Sequence, residues 1–331
     1  MSISRLNEIL FSYKIKATCI DLVESKNGTV YYLRLTLGEK LSKIKNIRSE
    51  IAFFLKFDNI PEISLLHNGL LSLEFKSDLD VTINLQDLYK EYKSKNFDLP
   101  FLLGKYHNGE PVWLDMTNNP HLLIGGATKK RKSVLLHNLI FNILHYKNVE
   151  LYLTDTKLVE FTHYENLRQV CNIASDYSEC LNIVNKLDSM MEERFFFLKR
   201  KKISSLEESP GLFNRSFFIL DEAAEILSNK DKKFEEQLCK LAPKCRAAGI
   251  HLIIATQRPS ADILNGLIKN NFPGRIACRT SSKIDSQIIL DTPGAEALLG
   301  KGQALMKNSA IGLSKFQIGF INPKDVVKTY E

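Results

Sequence analysis

HLLIGGATKKRKS, residues 121–133, decides how this chain is read. An apolar run closes on two glycines, a short basic segment follows, and residues 133–145 have the spacing of an amphipathic helix. Strand, loop and helix in that order is the setting of a phosphate-binding loop. Its backbone N–H groups wrap a phosphate, its lysine reaches the outer phosphate oxygens, and its hydroxyl meets the accompanying Mg2+. Gly126, Lys132 and Ser133 stand where the pattern GxxxxGK[ST] requires them, but Arg131 stands where the second glycine belongs. A non-glycine residue held in left-handed backbone there costs about 1–2 kcal/mol. By itself GATKKRKS reads equally well as a basic loop before a helix capped by Ser133, and on this stretch alone both readings stand.

Further along the chain, apolar runs alternate with longer helical segments. After the helix over 133–145 come VELYLTD (149–155), a helix over 178–200, RSFFILDE (215–222), a helix over 231–247, HLIIATQ (251–257) and GRIACRT (274–280). Apolar runs bounded by helices predict an α/β fold around a largely parallel sheet covered on both faces. Ligands bind such sheets at the carboxyl ends of the strands. The unusual polar residues fall there: Asp221 and Glu222 after one run, Gln257 after another, Lys132 and Ser133 beyond a third. An Asp at such a strand end can hold the water shell of a nucleotide's Mg2+, and an adjacent Glu can polarise an attacking water. Three strand ends presenting Lys-Ser, Asp-Glu and Gln favour a nucleotide site over a solvated sheet edge.

The first hundred residues read differently. Runs 15–23 and 29–37 are strand-like around the turn Ser25 to Gly28, and Leu41, Ile44, Ile47, Ile51 and Phe54/Leu55 line one face of a helix over 41–57. A second hairpin turns at Asn68-Gly69, and a short helix over 85–92 runs into the Lys-rich stretch Lys90 to Lys95. The boundary is placed after that stretch, before Pro100, giving a small α+β domain over 1–98 and the α/β domain over 99–331. The 45 basic residues against 38 acidic give +7, an excess that permits a nucleic-acid partner without demanding one. The longest apolar run, Val134 to Leu144, is broken by His137, Asn138 and Asn142, so no membrane span is expected. The first residues lack a secretory signal, and six scattered cysteines with no CxxC pair point to reduced thiols in a cytoplasm.

The run Lys240 to Ser260, KLAPKCRAAGIHLIIATQRPS, resembles the FtsK/SpoIIIE family of double-stranded DNA translocases. So do Gly266 to Pro273 (GLIKNNFP), Ser281 to Ser286 (SSKIDS) and Gly294 to Gly302 (GAEALLGKG), with Asp155-Thr-Lys157, Tyr164-Glu165 and Pro120 to Ile124 upstream. The resemblance implies a RecA-like P-loop ATPase core that takes ATP and Mg2+ and assembles as a homo-oligomeric ring, expected as a hexamer, around duplex DNA. It assigns Gly126, Ala127, Thr128, Lys129, Lys130, Arg131, Lys132 and Ser133 to the nucleotide. Ser133 and Asp221 go to its Mg2+, and Lys132, Asp221, Glu222 and Gln257 to hydrolysis. Arg246 is implied as a finger acting on a neighbour's ATP, where a guanidinium stabilises developing phosphate charge. Arg258, Lys269 and Lys283 are implied as DNA contacts, reading phosphates rather than bases. From Arg258 to Glu331, ten Lys/Arg against six Asp/Glu agree with such a surface. The basic run Lys199 to Lys202 and the preceding Phe195 to Phe197 are assigned no site.

The family pattern GTTGSGKS contrasts with GATKKRKS here, where Lys129 and Arg131 replace both internal glycines. Two expectations follow. In one, an active translocase holds Arg131 in left-handed backbone, its extra cations drawn to the triphosphate. In the other, the chain is a weakly hydrolysing or inactive DNA-binding ring, or a coupling protein for conjugative DNA transfer. Retention of Lys132, Ser133, Asp221, Glu222, Gln257 and Arg246 favours the first, and loss of the glycines the second. A bare motor core suits a mobile element, plasmid or phage, with membrane recruitment only through a partner.

Overall fold

The computed structural model of the protein describes residues 2–25, 28–65, 69–76, 82–92, 97–127, 129–308 and 312–331. The turn residues Lys26, Asn27 and Asn68, the stretch Lys93 to Lys95 and Thr128 lie outside the described residues. The chain divides into two compact units, Met1–Val81 with Lys105–Glu110, and Thr82–Gly104 with Pro111–Glu331.

In the first unit, helix α1 (Ile3–Ser12) precedes strands β1 (Ala17–Ser25) and β2 (Gly28–Leu35). Helices α2 (Leu41–Asn46) and α3 (Arg48–Leu55) follow, then β3 (Glu62–Leu65) and β4 (Leu71–Lys76), forming a sheet in the order β1-β2-β4-β3. The single helix expected over 41–57 is two, broken at Ile47, where ψ turns to 21°. Leu6, Leu10, Tyr31, Leu33, Ile44, Ile51, Leu71 and Phe75 form the core of this unit.

In the second unit, α4 (Leu85–Glu91) leads into β5 (Pro100–Lys105), β6 (Pro111–Asp115), β7 (His121–Gly125), α5 (Lys129–Leu144), β8 (Val149–Thr154) and β9 (Val170–Ala174). Then come α6 (Tyr177–Lys201), β10 (Arg215–Leu220), α7 (Ala223–Leu227), α8 (Lys233–Cys245), β11 (Ile250–Thr256), α9 (Gly266–Asn271) and β12 (Gly274–Cys278). The chain closes with α10 (Lys283–Leu290), β13 (Gln303–Asn308), β14 (Gly312–Ile318) and α11 (Pro323–Tyr330). The sequence reading grouped α4 with the first domain. The structure binds it to the second: Leu85 N–H donates to the Phe320 carbonyl at 2.8 Å, and Tyr89 donates to the Asn142 side chain.

The ten strands order as β6-β5-β14-β13-β12-β7-β11-β10-β8-β9. From β12 to β9 neighbouring strands pair in parallel, as the alternation of runs and helices requires. Every residue of β7, β11 and β12 is buried, which is why these strands read as unbroken apolar runs. α6 and α8 pack on one face through Val184, Leu187, Met191, Phe234, Leu238 and Leu241 against Leu123, Phe218, Leu252 and Ile254. α5 spans the crossover that connects β7 to the parallel strand β8. The polar residues that break the apolar run of α5 have structural work there. Asn138 donates to the carbonyls of Leu103 (3.1 Å) and Gly319 (2.9 Å), and Asn142 accepts from Leu102 N–H at 2.6 Å. Among the described residues no helix is long and apolar enough to cross a membrane.

Candidate nucleotide site

All the parallel strands end on one edge of the sheet. β11 lies between β7 and β10, so Thr256 and Gln257 stand between the glycine pair ending β7 and Asp221-Glu222 following β10. The glycines are sterically required. A Cβ on Gly126 would lie 2.7 Å from Cys278 Cβ, and one on Gly125 would lie 2.0 Å from Ile289 Cδ1. The loop leaves β7 tied to both neighbours, with Gly126 N–H on the Thr256 carbonyl (3.2 Å) and Ala127 N–H on the Arg279 carbonyl (2.9 Å).

α5 begins at Lys129, so Arg131 lies inside the helix rather than in the left-handed backbone expected for it. The cause is local. Lys and Arg are good helix formers where glycine is about 1 kcal/mol worse than alanine, so replacing two glycines extends the helix toward β7. The side chains of residues 129–131 lie outside the described residues.

Lys132 is fully buried and turns toward β10. Its ammonium donates to the Asp221 carbonyl at 2.5 Å, lies 3.1 Å from Asp221 Oδ1 and 3.5 Å from Glu222 Oε2. One buried cation thus faces two buried carboxylates. Burial pushes the Asp221 carboxyl above its ordinary range, against the pull of Lys132. Ser133, the next residue of α5, is buried beside them in the chain. Glu222 is held from the β11 side: Thr256 Oγ1 donates to Oε1 at 2.6 Å, and Gln257 N–H reaches both oxygens at 3.1 Å. Thr256 Oγ1 in turn accepts from Arg258 N–H at 3.1 Å. The sequence reading passed over Thr256. The only signal for it was a hydroxyl residue one place before Gln257 at a strand end.

The segment after β8 adds a further wall. The Asp155 carboxylate accepts from the N–H groups of Lys157, Glu160 and Phe161 at 3.2, 2.7 and 2.9 Å, which fixes the turn. Lys157 reaches Glu225 at 3.0 Å, and Thr156 also donates to that carboxylate. These bonds, with the nearby charge of Arg258, hold Glu225 below the usual carboxylate range.

The remaining expected residues do not gather in one place. Arg258 is exposed just past β11, and Lys283 is exposed at the first position of α10, both on the carboxyl edge. Lys269 precedes β12 and so lies on the opposite edge, where it pairs with Asp291 at 2.5 Å. Arg275 and Lys307 share that carboxylate. Partial burial works to raise the Asp291 pKa, but Lys269 and Arg275 hold it at about 2. Arg246 follows α8 ahead of β11, on the same far edge, with its side chain exposed. The sheet therefore separates Arg246 from Lys132, Asp221 and Glu222 of its own chain.

Comparison with known proteins agrees with this geometry. Residues 86–218 match the model of the FtsK/SpoIIIE family, a span that opens within α4 and closes on β10. The DNA translocase FtsK of Borreliella burgdorferi is 33% identical over 98% of this chain and 44% of its own length. That of Haemophilus influenzae is 32% identical over 91% of this chain and 64% of its own length. The chain thus spans under half the length of the first of these relatives. Among solved structures, the pCW3 conjugation coupling protein TcpA superposes with a TM-score of 0.70 at 20% identity, covering 99% of each chain. The cytoplasmic domain of the Thermomonospora curvata type VII secretion ATPase EccC gives 0.65 at 24% identity over 76% of this chain and 34% of that one. These neighbours share the fold, a RecA-like P-loop ATPase domain. With the family model on its central strands and translocase relatives aligned along nearly its whole length, the chain belongs to the FtsK/SpoIIIE family.

Proposed function

We propose that this chain is an ATP-hydrolysing motor core that moves double-stranded DNA as a homo-oligomeric ring, with nucleotide at the carboxyl edge of the sheet. The observation that supports it is the meeting of Lys132, Asp221 and Glu222, drawn from α5 and the end of β10, with Thr256 and Gln257 between them and the glycine pair. Lys132 would exchange its two carboxylates for the β- and γ-phosphate oxygens when ATP enters. Glu222, released from Lys132, would orient the attacking water and accept its proton.

The residues suit a magnesium ion carried in with the nucleotide. Ser133 and Asp221 offer the hard oxygen ligands it prefers, and Asp221 Oδ1 is buried without a hydrogen bond in good geometry. Two carboxylates against one ammonium also leave the site net negative. Mg2+ would offset phosphate charge there.

Arg246, exposed on the far edge, would serve the ATP of an adjoining subunit, and six such subunits would close the ring. Exposed Arg258 and Lys283 would meet DNA phosphates, giving salt-sensitive binding without sequence preference. Hydrolysis of ATP with and without duplex DNA, on this chain beside Glu222→Gln, tests the proposal. DNA-stimulated turnover that is lost in the variant supports it. Absence of turnover in both, with DNA bound, overturns the motor reading.

One observation favours a second reading, a ring or conjugative coupling protein with little hydrolysis. With α5 starting at Lys129, the backbone of Lys129 to Arg131 is helical, where a phosphate-wrapping loop would hold these residues in an open turn around the ligand. In that reading ATP binding is weak and duplex DNA binding is retained.

A further inference from the structure

Away from the nucleotide edge, the second unit has a cavity of about 600 Å³ lined by Tyr89, Tyr92, Phe97, Asp98, Pro100, Trp113, His145 and Tyr146. That volume is within the range of small-ligand sites. Its walls are set in place by hydrogen bonds to the scaffold and to one another. Tyr89 donates to the Asn142 side chain, Tyr146 donates to the Pro100 carbonyl at 2.9 Å, and His145 is bonded to Tyr330. The Tyr89 ring stacks on His145 with centroids 4.4 Å apart and meets Trp113 edge-on at 6.2 Å. The hydroxyls of Tyr89 and Tyr146 are therefore spent on the scaffold, and what the lining offers a guest is largely aromatic.

Among the described residues that line it, Asp98 is the one carboxylate and no lysine or arginine is present. Asp98 is exposed, and among the described residues its carboxylate has no ion pair or hydrogen bond. Lys90, on α4 nearby, is already paired with Asp87 at 3.3 Å. Burial lowers the His145 pKa, so the imidazole adds no positive charge at neutral pH. Aromatic walls attract a cation through their ring quadrupoles, and a free carboxylate fixes a guanidinium by a charge-assisted hydrogen bond.

We propose that this pocket is a docking site for a basic peptide segment, seating an arginine side chain among Tyr89, Tyr92, Phe97 and Trp113 with its guanidinium on Asp98. The site is separate from nucleotide and DNA and does not depend on the motor assignment.

Trp113 is the chain's single tryptophan, so its emission reports on the pocket alone. The full chain is titrated with acetyl-Gly-Arg-Gly-amide, followed by Trp113 fluorescence and by calorimetry. The same peptide with citrulline in place of arginine, an uncharged near-isostere, is the control. The expected result is saturable arginine-peptide binding, at least about ten-fold tighter than the citrulline peptide and weakened to a similar degree by Asp98→Asn. Asp98 is exposed, so that variant keeps the fold, and a second variant, Tyr92→Leu, should weaken binding by removing one ring. Equal binding of both peptides, insensitivity to Asp98→Asn, or no saturation by either readout would overturn the assignment.

Discussion

Thr256 Oγ1 donates to Glu222 Oε1 at 2.6 Å, so the carboxylate assigned to activate water is tied to the neighbouring strand. The Gln257 N–H adds a second hold, and Lys132 a third at 3.5 Å. Arg258 N–H bonds the same Thr256 hydroxyl, so the exposed Arg258 is linked to the Glu222 carboxylate through two hydrogen bonds that share one hydroxyl.

Thr256→Val keeps the volume and removes the hydroxyl. A hydrogen bond to a charged group is worth roughly 1.5–3 kcal/mol, so Glu222 should leave its tethered position more readily. DNA-independent ATP turnover is expected to rise several-fold while stimulation by DNA shrinks. Steady-state assays across a DNA titration check this, and unchanged basal turnover would show that the tether does not restrain Glu222.

Arg131→Gly places a poor helix former near the start of α5, at a cost of about 1 kcal/mol to the helical state of that turn. The loop after Gly126 should then open toward the phosphate-wrapping form. The variant is expected to bind ATP several-fold more tightly and hydrolyse it faster. Equilibrium binding and turnover, both unmoved, would mean that the helix start at Lys129 does not limit the site.

Arg246 and Lys132 lie on opposite edges of one sheet, which makes their roles separable by mixing. Arg246→Ala should abolish hydrolysis and leave ATP binding by the single subunit intact, while Lys132→Ala should lose both. Each is inactive alone. Mixed together they should regain a fraction of wild-type turnover, because a Lys132→Ala subunit still supplies an arginine to an Arg246→Ala neighbour. No recovery on mixing would place Arg246 outside the reacting site.

His121 is one of three buried histidines that make the fold sensitive to acid. Its Nδ1 accepts from Leu252 N–H at 3.0 Å and its Nε2 meets the Ala242 carbonyl at 2.8 Å, an arrangement the neutral ring satisfies. Burial lowers its pKa from 6.5 to about 4. The unfolded chain therefore binds the proton first, so stability is full above about pH 6.5 and falls as pH drops toward 4. Thermal melts between pH 7.5 and 5 should show this decline, and His121→Gln should make its slope shallower. An equal slope in the variant would assign the decline to other buried groups, such as His137 and His251.

Much of this was legible in the chain itself. Short apolar runs such as Leu122 to Ile124 and Phe217 to Leu220, set between longer helical segments, read as strands buried on both faces in parallel order. The polar residues Asp221, Glu222 and Gln257 stand out because they interrupt that apolar pattern at strand ends. What escaped was whatever depends on a partner distant in sequence. The α4 helix has ordinary local propensity, and only the Phe320 carbonyl decides which unit it joins. Thr256 is an unremarked hydroxyl until β11 is set beside β10. Lys269 reads as a free cation until Asp291 is folded against it.

The sequence alone determined the class of fold, because hydrophobic periodicity is a local property, and its motifs carried the resemblance to the family. The tertiary structure alone decided that Lys132 meets Asp221, that Thr256 holds Glu222, that Arg246 faces away from its own site, and that Tyr89, Asp98 and Trp113 enclose one cavity. Those relations come from strand order and helix packing, which bring together side chains tens of residues apart and which no local pattern encodes.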